Sequence, residues 1–169
     1  MKRKLKGERK RLLKNIEFHW GYEAYTSEVH EILTHVDPTD FEVKELSTIF
    51  INKNWWEISD EEIEKNYMWM SLIGEVPFCY FLPALLCKRL TDNEFDDLGL
   101  IDFFIPPKKE HLLKKFEKKK LLFSAEQRKI ICEFLIYMKK VFAHKETEYN
   151  CRMVKRISEA IENWSSYLE

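Results

Sequence analysis

The stretch LIGEVPFCYFLPALLCKRL, Leu72–Leu90, decides how the rest of the chain is read. It is the most apolar segment, and it carries two of the five prolines and two of the four cysteines. Charged segments bracket it, DEEIEK at Asp60–Lys65 and DNEFDD at Asp92–Asp97. Pro77 suits the first turn of a helix, where the backbone N–H has no intrahelical acceptor. Pro83 suits it badly, because an interior proline removes a backbone hydrogen bond and costs about 3 kcal/mol. We therefore expect a buried central helix, bent near Pro83, with a tertiary partner that offsets the proline. The apolar run Val76–Cys87 is shorter than the roughly 20 residues that a bilayer-spanning helix needs.

Working outward, helical spacing recurs on both sides. Leu5, Leu12, Leu13, Ile16 and Trp20 fall on one stripe of a first helix that stops at Gly21. Thr26 or Ser27 can cap a second helix reaching about His35. Thr39 and Glu42 form a capping-box pattern that opens a third, to about Ile51. The loop NKNWWEI carries Trp55 and Trp56 side by side. Ser59 with Glu62 repeats the capping box ahead of a helix from Asp60 to about Ser71. After the central helix, Asp92–Gly99 reads as a short acidic helix or turn. LIDFFI, Leu100–Ile105, is apolar enough for a strand but has no evident partner. Lys108–Lys119 is helical, with Leu112, Leu113 and Phe116 as its apolar set. Ser124 and Gln127 make a third capping box, opening a helix from Ala125 to about Phe142. A last amphipathic helix covers about Glu146–Tyr167. The expected fold is all-α, a single-domain bundle of about seven helices over residues 15–169, preceded by a basic arm over 1–14 that starts the first helix.

Composition agrees. With 169 residues, 45% hydrophobic and 14% aromatic, the chain can fill a core. Four glycines and five prolines are too few for the turns of a β-sandwich or barrel. The net charge of −1 conceals an asymmetry. Met1–Lys14 holds eight basic residues and one acid, about +7, so the remainder carries about −8. Cys79, Cys87, Cys132 and Cys151 lie in apolar or helical segments without metal-ligand spacing, and read as free thiols of a reducing compartment. The basic start runs into LLKNIEFHW, which lacks the apolar core of a secretion signal. A cytoplasmic location is expected.

Several motifs occur in an order that resembles a known pattern. They are Trp56-Glu57-Ile58, Phe78-Cys79-Tyr80-Phe81-Leu82-Pro83-Ala84-Leu85-Leu86, Phe103-Phe104, and Phe123-Ser124-Ala125-Glu126-Gln127-Arg128 with Ile131, Phe134-Leu135 and Tyr137. Together they resemble an uncharacterised bacterial all-helical domain family of unknown function. The resemblance implies a helical fold and brings no catalytic residues with it. Gly74-Glu75-Val76-Pro77 and the basic arm depart from the family's pattern. In size and composition the chain is also similar to immunity proteins of toxin systems.

No constellation points to chemistry. His30 and His35 are five apart and so on different faces of a helix, while His19, His111 and His144 are isolated. No serine sits in a nucleophile elbow, and Cys79 and Cys87 lie where a thiolate is disfavoured. Four scattered glycines build no phosphate loop. No catalytic, cofactor or metal residue is assigned. The carboxylates Asp60, Glu61 and Glu62, and Asp96 and Asp97, read as solvated helix starts, or as an acidic face for a basic partner. With Trp55 and Trp56 they are the expected partner-binding residues of a non-enzymatic interaction protein, of which an immunity or antitoxin protein binding a basic toxin domain is the concrete form. Lys2–Lys14 and Lys108–Lys120 support the alternative of nucleic-acid binding, though no recognition motif accompanies them. An enzyme with an unrecognised site is the third reading. No membrane partner is expected.

Overall fold

The computed structural model describes residues 2–21, 53–66, 74–92, 97–144 and 147–165. Among these the chain is all-α. It comprises α1 (Lys2–Trp20), a 3-10 turn (Trp55–Glu57), α2 (Asp60–Asn66), α3 (Glu75–Thr91), α4 (Asp97–Asp102), α5 (Glu110–Leu122), α6 (Ala125–Phe142) and α7 (Glu148–Ser165). The helices expected at about 27–35 and 39–51 lie outside the described residues. The chain divides into two compact units, one of Met1–His19 with Asp97–Glu169, the other Trp20–Asp96.

In the Trp20–Asp96 unit the central helix is α3. Gly74 caps it and Pro77 sits in its first turn, where the Phe78 N–H already reaches Gly74 O at 3.0 Å. Pro83 lies within the helix, and Phe81–Leu86 are buried as an unbroken run. Having no N–H, Pro83 leaves the carbonyl one turn back, Cys79 O, without its helical donor. The indole of Trp20 fills the gap, its Nε1–H donating to Cys79 O at 3.0 Å. This is the tertiary compensation that the interior proline requires. The next residue, Gly21, ends α1 with φ of +64°, a conformation that side chains other than glycine adopt only with strain. Its carbonyl accepts from Trp55 Nε1 at 3.1 Å.

At its other end α3 closes on Asp92. The Asp92 N–H donates to Lys88 O at 2.8 Å, and Arg89 Nη1 donates to Asp92 O at 3.3 Å. Thr91 Oγ1 donates to Cys87 O and Lys88 O, at 2.9 and 3.0 Å. Two cations in the last turn, Lys88 and Arg89, also suit the negative end of the helix dipole.

In the other unit α6 and α7 pack along their length. The α6 core face includes Ile130, Ile131, Phe134, Leu135, Met138 and Phe142, which recur at helical spacing. Its start is held by the expected capping box: Gln127 N donates to Ser124 Oγ at 3.1 Å, and Ser124 N to Gln127 Oε1 at 2.9 Å. α7 buries Met153, Ile157, Ala160 and Trp164. Trp164 is the hub. Its indole N–H donates to Phe104 O at 3.0 Å, and the rings of Phe104, Phe116 and Phe123 stand edge-on to it. LIDFFI is helix and turn rather than strand. Leu100, Ile101 and Phe104, spaced i, i+1, i+4, are buried from the end of α4 and the turn after it.

The basic arm is the first half of α1. Leu12 and Ile16 are buried, Glu8 pairs with Lys140 at 2.9 Å, and Arg11 lies 3.5 Å from Glu133. Trp20→Phe is expected to lower unfolding free energy by about 1–3 kcal/mol, the cost of an orphaned carbonyl. In a Pro83→Ala background residue 83 regains its N–H, so the same substitution costs less. A double-mutant cycle in urea measures the difference; equal costs in both backgrounds would break the link between Trp20 and Pro83.

Candidate protein interface

The sequence places its candidate partner-binding residues in two groups, and the structure treats them differently. Trp55 is buried and hydrogen-bonded to Gly21 O, so it belongs to the core. Trp56 stands edge-on to it at 5.7 Å and is 36% exposed, which makes it the member of the pair that reaches solvent. The turn carrying both is tied down at its ends. Glu57 Oε2 accepts from Asn54 N at 2.7 Å, and Tyr80 OH donates to Asn54 Oδ1 at 3.3 Å.

Asp60, Glu61 and Glu62 form the first turn of α2, where carboxylates face the positive end of the helix dipole. Each pairs with a cation. Glu62 completes the expected capping box, accepting from Ser59 N at 2.9 Å while Glu62 N donates to Ser59 Oγ at 3.2 Å, and it also pairs with Lys53. Glu61 pairs with Lys65 one turn on, at 2.7 Å. Asp60 pairs with Lys88. Asp96 lies outside the described residues. Asp97 opens α4, in the other compact unit.

The sequence reading missed Lys88. Its side chain is 5% exposed, yet its Nζ meets Glu64 Oε1 at 2.9 Å, Asp60 Oδ2 at 3.1 Å and Asp92 Oδ2 at 3.2 Å. Two of these carboxylates are i, i+4 neighbours on α2, and the third is one turn beyond Lys88 on α3. The hydrogen bond that Lys88 donates to Glu64 is the largest influence holding its ammonium well above its ordinary pKa, against burial, with Asp60 and Asp92 adding to it. The four groups sum to −2. The outer carboxylates stay wet, so one buried cation fixes a preorganised acidic surface on the Trp20–Asp96 unit. A signal was present in the sequence: a lysine inside the apolar stretch with an aspartate at i+4 is a cation in need of acids, and DEEIEK supplies them.

Elsewhere, His111 and His144 are exposed, and His19 stacks edge-on with Phe18. Cys132 is buried, and burial first, then Glu133, pushes its thiol up. Cys151 is exposed, Cys79 and Cys87 half-buried. Among the described residues no cluster of three His, Cys, Asp or Glu side chains could hold a metal ion, and no helix is long and apolar enough to cross a membrane.

A family of unknown function, DUF6714, matches residues 34–167. The chain belongs to this family. No curated protein and no solved structure matches. The match spans the turn at Trp55–Trp56, the carboxylates of α2 and all of α3, and leaves out the whole of the basic helix α1.

Lys88→Met should lower stability at pH 7 by about 1–3 kcal/mol, less than for a fully buried pair because the three carboxylates are wet. Urea unfolding at pH 7 measures that loss. The Glu62 carboxyl adds a pH dependence of its own. Burial alone would raise its pKa, but Lys53 and Ser59 hold it below the usual carboxylate value. It therefore stabilises the fold above about pH 4.5, and that contribution is lost as pH falls through the lowered value. Urea titrations at stepped pH should show Glu62→Gln flattening the acid side of the wild-type profile.

Proposed function

We propose that this protein is a bacterial, cytoplasmic, non-enzymatic interaction protein whose Trp20–Asp96 unit takes a basic protein partner, in the manner of an immunity or antitoxin protein. The observation that carries this reading is the way charge divides between the two compact units. Trp20–Asp96 has 16 acidic against 5 basic residues, −11 in all. The other unit has 23 basic against 13 acidic, +10. A net charge of that size on one compact unit steers a cationic partner and raises its association rate, with a strong dependence on salt. The carboxylates around Lys88 give the charge a fixed geometry, and Trp56 offers an aromatic anchor of the kind that dominates interface energies.

The adjacent reading frame is the first source of a partner. Titrated with its basic product, the wild-type chain should form a complex that weakens as salt rises. Asp60→Asn, Glu61→Gln and Glu62→Gln together should cost at least about tenfold in affinity, and Trp56→Ala should cost about 2 kcal/mol without touching a helix cap. Unchanged affinity and salt dependence in both variants would refute the reading.

A second reading, nucleic-acid binding, draws on Lys4, Lys6, Lys10 and Lys14, all exposed along α1. Deleting the arm would be a poor test, since Leu12 and Glu8 are part of the fold. Lys6→Glu with Lys10→Glu spares both. It should abolish a binding that falls steeply with salt in the wild type; a flat salt response excludes this reading.

A further inference from the structure

The end of α5 is inverted in polarity. Its buried stripe runs Phe116, Lys120 and then Phe123, with Leu113 half-buried one turn earlier, a 3-4-3 spacing in which a lysine takes the place of an apolar residue. Lys120 is 2% exposed. Its Nζ donates to Asn163 Oδ1 at 2.7 Å and to Asn163 O at 3.2 Å, pairs with Glu117 at 3.1 Å, and lies 5.6 and 5.7 Å from the ring centroids of Phe116 and Trp164. The two leucines that follow it are turned outward instead, Leu121 at 66% and Leu122 at 48% exposure. The register of this helix end is thus held by a well-partnered buried cation, and the result is a pair of leucines in water. Singly exposed apolar residues are ordinary, but a cluster of them marks a surface for something.

A third exposed apolar side chain belongs to the same unit. Phe18, in the last turn of α1, is 80% exposed. Gln127 Nε2 donates to His19 O at 3.2 Å, which sets the last turn of α1 against the first turn of α6, two residues after the end of α5. Phe18, Leu121 and Leu122 therefore lie at one end of the same compact unit. Exposed lysines flank each of them at helical neighbour positions, Lys14 four residues before Phe18 and Lys118 three and four before the leucines. Exposed acids on the same elements include Glu17, Glu126 and Glu162, within a unit of +10.

We propose that this end of the molecule docks reversibly on an anionic lipid surface, with Phe18, Leu121 and Leu122 entering the headgroup–acyl boundary and the flanking lysines facing lipid phosphates and carboxylates. Charge complementarity selects this occupant. A basic protein is repelled by the unit's charge. A nucleic acid would use the lysines but has no use for two leucines, which cannot stack on bases. Neither lysines nor three apolar side chains alone give stable membrane residence; the two together are the usual requirement for surface binding without a lipid anchor or a spanning helix. The proposal concerns a different unit from the acidic surface and stands apart from the protein-partner reading.

The test is co-sedimentation of the full chain with vesicles of phosphatidylcholine alone and of phosphatidylcholine mixed with phosphatidylserine. Wild-type protein should pellet with the mixed vesicles, not with the neutral ones, and should be released by salt. Phe18→Ser, Leu121→Ser and Leu122→Ser together should reduce the vesicle partition coefficient at least about tenfold, and Lys14→Glu with Lys118→Glu should do the same. Since all five side chains are exposed, both variants should keep the wild-type circular dichroism and melting curve. Absence of binding, equal binding to neutral vesicles, or wild-type binding by the triple-serine variant would each overturn the proposal. So would a concentration-dependent dimer that the triple-serine variant abolishes, which would make the patch a contact between two copies of this chain.

Discussion

One hydrogen bond carries the central helix. A proline inside an α-helix denies the carbonyl one turn earlier its helical donor, and here the Trp20 indole donates to that carbonyl, Cys79 O. The requirement propagates along the chain. The chain must turn directly after Trp20, and Gly21 with its positive φ turns it. The turned chain then presents Gly21 O to Trp55. Two tryptophans and a glycine thus form a short relay between the end of α1, the middle of α3 and the turn ahead of α2. The aromatic side chains near this helix are explained by the backbone they satisfy, which is why Trp55 is unavailable as a ligand platform although its neighbour Trp56 is not.

Much of the helical layout was legible in the sequence, for identifiable reasons. Ser59–Glu62 and Ser124–Gln127 are capping boxes in both sequence and structure, so the starts of α2 and α6 are read without knowledge of tertiary contacts. The α6 core face follows from a 3.6-residue period with no competing signal. Gly21 was readable as a stop because few other residues accept its conformation. Even the existence of a partner for Pro83 was predictable, since an orphaned carbonyl is costly, although its identity was not. Trp20 is 59 residues from Cys79, and nothing local in the sequence joins them.

The misreadings share one cause, the assumption that charge lies outside and leucine inside. On α5 the pattern Leu112, Leu113, Phe116 looked like a core face, but the buried stripe continues through Lys120 and Phe123. LIDFFI, short and apolar, left a strand open although no partner for one is evident; its buried residues follow helical spacing at the end of α4. Lys88 drew no reading at all inside its apolar stretch, yet it is the point on which three carboxylates converge. Hydropathy ranks a lysine by its ammonium alone. Both buried lysines bring a four-carbon stem that packs like an aliphatic residue and a head whose partners come from elsewhere in the chain. That second fact is not encoded locally.

The two buried lysines also differ in what they do to the surface. Lys88 gathers carboxylates from two helices and leaves them wet, so its burial organises an anionic face. Lys120 is satisfied by a backbone carbonyl, an amide, one carboxylate and two ring faces, so its burial exports no charge and instead turns Leu121 and Leu122 outward. A methionine would fill either volume at lower desolvation cost, and ion pairs of this kind are seldom retained for stability alone. Each is better understood as fixing register: of α3 against α2 in one unit, and of α5 against α7 in the other. The acidic surface and the basic, leucine-tipped one are then consequences of core decisions made one turn away, on units whose net charges have opposite signs.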